Sequence, residues 1–225
     1  MNRLPRFSAL RRAVWSYVRS APGTYVWLAV LFFTTVALHH MSPEFEQEFL
    51  RQRSTNLHEL SRHPVRVLIA SAMWIDGGYW LPYAALYSVF HAQAERWLGT
   101  WRWLTVCVAA HVLATLVSEG ALLKAIRDGI APVSSVNTLD VGVSYALAGV
   151  VAVLGHRIRT PWRWAYLAVV LAFFAVPLAA GPTFTDFGHF VAALIGLGCY
   201  PLVRGRGKVR NPKETGPVSP DNVRP

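Results

Sequence analysis

Two side chains in the apolar parts of the sequence have the chemistry of a hydrolase. Ser144 lies in the segment DVGVSYALAG (140–149), and His189 lies in DFGHFVAALIGLG (186–198). A serine hydroxyl is a weak nucleophile until a base accepts its proton, and a neutral imidazole is the commonest such base. The first question is therefore whether the elements that carry these side chains bring them together.

The composition predicts a membrane protein. Hydrophobic residues make up 53% of the 225 residues and charged residues only 15%, and the charges are gathered into short segments between long apolar runs. A helix needs about 20 apolar residues to cross a hydrocarbon core of roughly 30 Å. We therefore expect an all-α, multi-pass protein of a plasma membrane, and we expect that membrane to be a bacterial inner membrane.

Six apolar runs indicate six spans: 25–38, 65–89, 103–117, 136–154, 164–180 and 184–203. The second run is too long for one span and is interrupted by Asp76, Gly77 and Gly78. This interruption predicts a shallow interfacial piece followed by a helix from about Tyr79 to His91.

The distribution of basic residues predicts the orientation. In a six-span arrangement, sixteen Lys and Arg residues fall on one side and six on the other. Since cytoplasmic segments carry the excess of these residues, both termini are expected in the cytoplasm. Residues 1–22 then form a basic cytoplasmic segment, 23–203 the membrane domain and 204–225 a disordered basic tail. The polar segment 39–63, with a helix over 44–60, and the segment 119–137 are expected as outer loops.

Spans four and six both run from the outside inward in this arrangement. Ser144 and His189 each lie about five residues into their span, so a rise of 1.5 Å per residue places both roughly 7 to 8 Å below the outer boundary. Small residues on the two helices allow close packing, among them Gly142, Gly149 and Gly196. If span four begins near residue 139, Ser144 also lies near a helix N-terminus, whose free amides stabilise an oxyanion.

The remaining polar groups are expected to be structural. The net charge of +10 comes from the two basic ends, which favours anionic lipid headgroups over nucleic acid. Cys107 and Cys199 form no metal-binding pattern, and we expect neither a metal nor a cofactor. Four further residues receive structural interpretations: Asp140 and Asp186 as first-turn acids of their helices, His111 as a structural histidine and Glu119 as the outer end of span three.

Four segments, in this order, resemble the rhomboid family of intramembrane serine proteases. HPVRVLIASAMW (63–74) resembles its membrane entry, AERWLGTWRWL (94–104) the Glu-x-x-Leu-Gly turn after its second helix, GVSYALAG (142–149) its serine segment, and GHFVAALIG (188–196) its last helix. The resemblance covers about residues 23–203 and implies a six-helix rhomboid-like bundle.

The resemblance also implies a reaction and a partner. Ser144 would be the nucleophile and His189 the general base of a dyad without an acid. The family hydrolyses peptide bonds in or beside transmembrane segments of other proteins, so the expected partners are single-span or other membrane proteins in the bilayer. No cofactor takes part.

The chain departs from the family pattern at the oxyanion hole. Tyr145 stands where the family has glycine after the serine, and Tyr79 and Tyr83 stand at the positions of a His-x-x-x-Asn motif in helix two. Phenolic hydroxyls donate hydrogen bonds, so Tyr79, Tyr83 and Tyr145 become oxyanion or cavity candidates together with Gly142. Losing one oxyanion donor typically lowers the rate by about 10² to 10³.

Two other functions therefore remain open at the level of the sequence. A catalytically inactive rhomboid-like protein would bind membrane-protein clients in the same cavity without cutting them. A transporter is a more distant alternative, because the sequence lacks the repeated halves and paired broken helices of transporter folds.

Overall fold

The computed structural model describes residues 4–181 and 183–206, which are helices and connecting turns without a strand. The expected tail from residue 207 onward lies outside the described residues. In chain order the helices are α1 (Leu4–Arg19), α2 (Pro22–His39), α3 (Pro43–Arg51), α4 (Leu57–Arg62), α5 (Pro64–Ser71), α6 (Trp80–Leu86), α7 (Ala92–Leu98), α8 (Thr100–Arg127), α9 (Val143–Leu154), α10 (Trp162–Ala179), α11 (Phe184–Gly198) and α12 (Tyr200–Val203).

Helices α2, α8 and α10 are long and apolar enough to cross a membrane. Shorter apolar helices cover Val143–Arg157, which is α9 with its following turn, and Phe184–Gly198, which is α11. The expectation of an all-helical protein with apolar, membrane-type helices is thus confirmed. The number of six spans and the side on which the termini lie stay predictions.

The predicted break in the second apolar run is present. A short turn over Asp76–Gly78 separates α5 from α6, and Gly77 (φ 76°) and Gly78 (φ 68°) adopt backbone angles that favour glycine. Beyond it, α6 continues through a π-helical turn, Tyr87–His91, into α7. The helix expected over 79–91 therefore extends to residue 98.

Three other boundaries differ from the sequence expectations. The single helix expected over 44–60 is two helices, because Asn56 ends α3 and begins α4: its amide donates to the Arg51 carbonyl and its oxygen accepts from the Glu59 amide. Helix α8 continues ten residues past 117, to Arg127, since Ser118 and Glu119 are buried on its inner face. Helix α9 begins only at Val143, with Gly142 as its N-cap.

Helices α8, α9 and α11 form the centre of the bundle, and glycines let them approach closely. A Cβ atom on Gly196 of α11 would overlap the backbone of Gly149 on α9, and one on Gly149 would overlap the side chain of Ala110 on α8. Such contacts between small residues drive helix packing in lipid. The hydrophobic effect contributes little there, because the lipid chains are as apolar as the helices. The spacing of α9 and α11 is thus determined by backbone contact.

A buried carboxylate connects the start of α2 to the turn between α7 and α8. Glu95 is 2% exposed and accepts hydrogen bonds from the amides of Gly23 and Thr24 at 2.9 and 2.7 Å and from the hydroxyls of Thr24 and Thr100 at 2.8 Å each. A negative charge at a helix N-terminus satisfies free amides and the helix dipole. The Glu-x-x-Leu-Gly segment therefore has a structural role here, completed by Gly99 at φ 84°.

Replacing Gly196 by alanine should destabilise the protein by about 1–3 kcal/mol, the usual range for forcing an extra methyl group into a packed interior. The added methyl would meet the Gly149 backbone, which has no rotamer with which to move aside. Gly198→Ala is the matched control, because nothing lies within 4 Å of the position of its Cβ atom. Thermal unfolding of the two purified variants in detergent measures the difference, and equal midpoints would contradict the proposed packing.

Candidate active site

The structure brings the two predicted catalytic side chains together. The Nε2 atom of His189 lies 2.8 Å from the Oγ atom of Ser144, which is hydrogen-bond distance. Ser144 is the second residue of α9 and His189 the sixth residue of α11, so the equal count of about five residues from each helix start is wrong, although the two side chains meet at one level. The side chains meet because α9 and α11 are in backbone contact.

The tautomer of the imidazole decides whether His189 can act as a base. The backbone of Thr185, four residues before His189, lies near the ring. With the proton on Nδ1, the Nε2 atom that faces Ser144 is a hydrogen-bond acceptor. This tautomer leaves the lone pair of Nε2 free to accept the serine proton, which is what a general base requires.

Two aromatic rings hold His189 from different sides. The ring of Tyr145 meets it edge to face, with centroids 5.0 Å apart and an interplanar angle of 79°, and Phe174 of α10 stacks on it at 6.1 Å and 21°. Offset and edge-to-face arrangements are the favoured geometries of aromatic pairs. The imidazole is therefore confined between α9 and α10, with its Nε2 edge directed at Ser144.

Ser144 and His189 open onto a cavity of about 610 Å³ between α6, α9, α10 and α11. Apart from Ser144, His189 and Asp186, its lining is apolar: Leu86, Phe90, Leu147, Ala148, Val151, Val169, Val170, Phe173, Phe174 and Pro177. A concave apolar site with a few converging polar groups is the usual form of a binding pocket. This cavity fits apolar side chains next to a reactive hydroxyl.

The start of α9 supplies candidate donors for an oxyanion. Val143, Ser144 and Tyr145 form the first turn of α9, where amides lack partners within the helix, and no side chain caps this turn. Such amides, aligned with the positive end of the helix dipole, stabilise negative charge. The small size of Gly142 lets the start of α9 approach α8, since a Cβ atom there would overlap the imidazole of His111 on α8.

The three tyrosines proposed as oxyanion or cavity candidates do not surround Ser144. Tyr145 is fully buried, its hydroxyl packs against Gly188, and it does not line the cavity that contains Ser144. Tyr79 is 74% exposed, and Tyr83 packs among Leu28, Ile75 and Tyr87. Neither Tyr79 nor Tyr83 lines the cavity that contains Ser144.

A second serine and histidine lie close together but have a different hydrogen-bond arrangement. His111, expected to have no evident partner, places Nε2 3.3 Å from the hydroxyl of Ser71 and 2.8 Å from the carbonyl of Leu68. A carbonyl only accepts, so Nε2 of His111 carries the proton and cannot take one from Ser71. This pair attaches α5 to α8 and has no activated hydroxyl.

Asp140 lies just before α9 and is not the first-turn acid expected from the sequence. It precedes α9 by three residues and is 5% exposed, because the segment at 54–55 covers it. Its amide donates to the hydroxyl of Ser54 at 2.7 Å, and its carboxylate accepts from the hydroxyl of Thr55 at 3.3 Å. Burial raises the pKa of Asp140 from 3.8 to about 6.

Sequence reasoning missed Phe174, Thr185 and the burial of Asp140. Thr185 is near the imidazole only through its backbone, so its position four residues before His189 is the only signal in the sequence. Phe174 is one of several aromatic residues in an apolar helix, and nothing in the sequence singles it out. The burial of Asp140 depends on a loop 85 residues earlier in the chain.

Comparison with known proteins gives one finding. A family model described as rhomboid-like protein matches residues 16–209, which is most of the chain. No curated protein and no solved structure matches the chain significantly.

The burial of Asp140 predicts a pH-dependent stability. A carboxyl group whose pKa is 3.8 when unfolded and about 6 when folded favours the folded state below pH 3.8, and this contribution disappears as the pH rises through 6. Its size is on the order of 2–3 kcal/mol. Asp140→Asn, which stays neutral, should therefore gain stability relative to the wild type between about pH 4 and pH 7. Thermal unfolding in detergent at several pH values measures this difference, and a difference independent of pH would contradict the assignment.

Proposed function

The chain belongs to the rhomboid-like family, and on this premise we propose that it is an intramembrane serine protease that cleaves other membrane proteins. The observation that carries the proposal is the 2.8 Å contact between His189 Nε2 and Ser144 Oγ at the wall of an apolar cavity. The substrates are proteins with single or multiple transmembrane segments, hydrolysed in or beside such a segment.

The chemistry follows from the geometry of the pair. His189 Nε2 accepts the proton of Ser144 while Oγ attacks a peptide carbonyl, and the resulting oxyanion is stabilised by the amides at the start of α9. The protonated imidazole then gives its proton to the leaving amine. Water, with His189 again acting as the base, hydrolyses the acyl-enzyme and restores the serine. No metal or cofactor takes part in these steps.

The length of α9 supports a site that water reaches from the outer side of the membrane. Its twelve residues span about 18 Å at 1.5 Å per residue, less than a hydrocarbon core of roughly 30 Å. In the six-span arrangement with cytoplasmic termini, the N-terminus of α9 then lies in a depression below the outer surface. We place the protein in this orientation in a plasma membrane, that of a bacterium, as a multi-pass protein.

The cavity suggests how a substrate enters. Its apolar lining on α6, the π-helical turn after it and α10, including Leu86, Phe90 and Phe173, matches the apolar side chains of a transmembrane segment. A hydrogen-bonded helix hides its carbonyl groups, so the substrate has to unwind at the cleavage site. Small or helix-destabilising residues at that point therefore favour cleavage.

One observation favours a second candidate function. Among the described residues that line the cavity, no Asn, Gln or further His side chain faces the serine, so only backbone amides remain as oxyanion donors. A rhomboid-like protein with this cavity but with slow or absent hydrolysis would bind membrane-protein clients without cutting them. In that case Ser144→Ala leaves client binding unchanged and the wild type releases no product.

Ser144→Ala should reduce cleavage of a single-span substrate in proteoliposomes by at least about 10³-fold, because the nucleophile is lost. The same change should abolish covalent labelling by a fluorophosphonate probe, which reacts with activated serines. Product formation on gels and labelled protein per molecule are the two measurements.

Ser71→Ala is the matched control, since it removes the serine of the other serine and histidine pair, in which the imidazole Nε2 already carries a proton. It should retain labelling and cleavage. Equal cleavage by wild type and Ser144→Ala would refute the protease assignment, and labelling that is lost with Ser71→Ala would move the nucleophile to α5.

A further inference from the structure

We propose that Tyr17 of α1 is a positioning residue for the wall of the cavity and that it acts through the backbone carbonyl of Ser88. The proposal rests on the proposed function, because this wall is the one that faces the apolar side chains of a bound substrate. It gives α1, which precedes the first apolar helix, a role in the site.

The π-helical turn Tyr87–His91 is part of the cavity wall. It continues α6, and the wall includes Leu86 directly before the turn and Phe90 within it. A π-helical turn contains one residue more than an α-helical turn, and each residue rotates a helix by about 100°. The side of α6 that faces the cavity therefore depends on whether this turn stays π-helical.

The π-helical turn leaves one backbone carbonyl without its usual partner. The amide of Ala92 donates to the carbonyl of Tyr87, five residues earlier, whereas in an α-helix it would donate to Ser88. The carbonyl of Ser88 instead accepts from the hydroxyl of Tyr17 at 2.8 Å. A carbonyl without a donor in an apolar surrounding costs free energy, so this hydrogen bond stabilises the π-helical form relative to the α-helical one.

The direction of the Tyr17 hydrogen bond is determined by its neighbours. The guanidinium of Arg157, in the turn after α9, donates to Oε1 of Gln93 at 3.1 Å. The amide nitrogen of Gln93 therefore faces Tyr17 and donates to its hydroxyl oxygen at 3.3 Å. Since an arginine only donates and a carbonyl only accepts, the hydroxyl hydrogen of Tyr17 is directed at Ser88.

The ring of Tyr17 is held as well as its hydroxyl. The Cζ atom of Arg96 on α7 lies 4.7 Å from the centre of the ring. The ring of Tyr25 on α2 meets it edge to face, with centroids 6.4 Å apart. Both kinds of contact are attractive and restrict the position of the ring. Helix α1 is thus attached to α2 and α7, and its phenol is held at the π-helical turn.

Tyr17→Phe should raise KM for cleavage of a single-span peptide by about 3- to 10-fold, the usual effect of losing one hydrogen bond, with kcat unchanged. The peptide consists of about 20 leucine and alanine residues with a central pair of glycines, which is long enough to span the membrane. Labelling of Ser144 by a fluorophosphonate probe should keep its wild-type maximal rate, because the serine and histidine pair is not affected. A general loss of folding would lower kcat and labelling together.

Gln93→Glu is a second variant with the same expected result. A carboxylate only accepts, so Tyr17 would turn its hydroxyl hydrogen to residue 93 and release the carbonyl of Ser88. The double variant of Tyr17→Phe and Gln93→Glu should have a KM no higher than either single variant, because both changes break one connection.

Tyr25→Phe is the matched control. It removes a phenol hydroxyl from the ring next to Tyr17, and this hydroxyl makes no hydrogen bond within the described part of the chain. KM should therefore stay at the wild-type value. A wild-type KM for Tyr17→Phe, or increases for Tyr17→Phe and Gln93→Glu that multiply in the double variant, would overturn the proposal.

A second pair of measurements keeps the proposal separate from the proposed function. Hydrogen exchange in lipid nanodiscs reports the backbone hydrogen bonds of segment 86–92, and binding of the same peptide to the Ser144→Ala protein reports the cavity wall. Neither needs a protein that cleaves. Tyr17→Phe should speed exchange in this segment and weaken binding of the peptide by about 3- to 10-fold.

The outcomes separate the two ideas. Binding that Tyr17→Phe weakens, together with a wild type that cleaves nothing, refutes only the protease. Exchange or binding that Tyr17→Phe leaves unchanged in an active protease refutes only the positioning role. A peptide that binds to no variant of an inactive protein refutes both.

Discussion

The backbone contact between α9 and α11 is the constraint on which the site depends. A hydrogen bond between side chains on different helices tolerates little change in helix separation, and here Gly149 and Gly196 bring the two backbones together. Larger residues would separate the helices by more than the side chains of Ser144 and His189 can bridge. In lipid, where apolar helices gain little from burying apolar surface against each other, such a close fit is the main source of attraction.

The sequence predicts the residues that meet better than it predicts the helices that carry them. Ser144 and His189 stand out because a polar group in an apolar run needs a reason, and the break at Asp76–Gly78 stands out because glycine tolerates its angles. Helix ends are harder to predict. Helix α8 runs past two polar residues because they are buried by other elements, and α9 starts late because the segment before it is held by a loop distant in sequence. Tyr145 shows the same limit: its size is evident from the sequence, but its direction is set by Gly188 on another helix.

The site also shows how an imidazole can be oriented without a carboxylate at its second nitrogen. A carboxylate next to the ring would add a negative charge in a region where charge is expensive to bury. Here the rings of Tyr145 and Phe174 restrict the orientation of the imidazole by packing. Asp186, three residues before His189, lines the same cavity, but its carboxylate accepts from the amide and the hydroxyl of Thr183 at the start of α11. The packing around the imidazole is thus provided by uncharged aromatic side chains.

The hydrogen bonds of Glu95 have a consequence for how the polypeptide assembles. Its carboxylate is satisfied only when the first residues of α2 are in place, although more than seventy residues separate the two in the chain. A fragment that contains α6 to α12 but lacks α2 would leave the Glu95 carboxylate without the donors of Gly23 and Thr24 in a low-dielectric interior. This carries a severe cost in free energy. The bundle can therefore be completed only by a polypeptide that retains its first apolar helix.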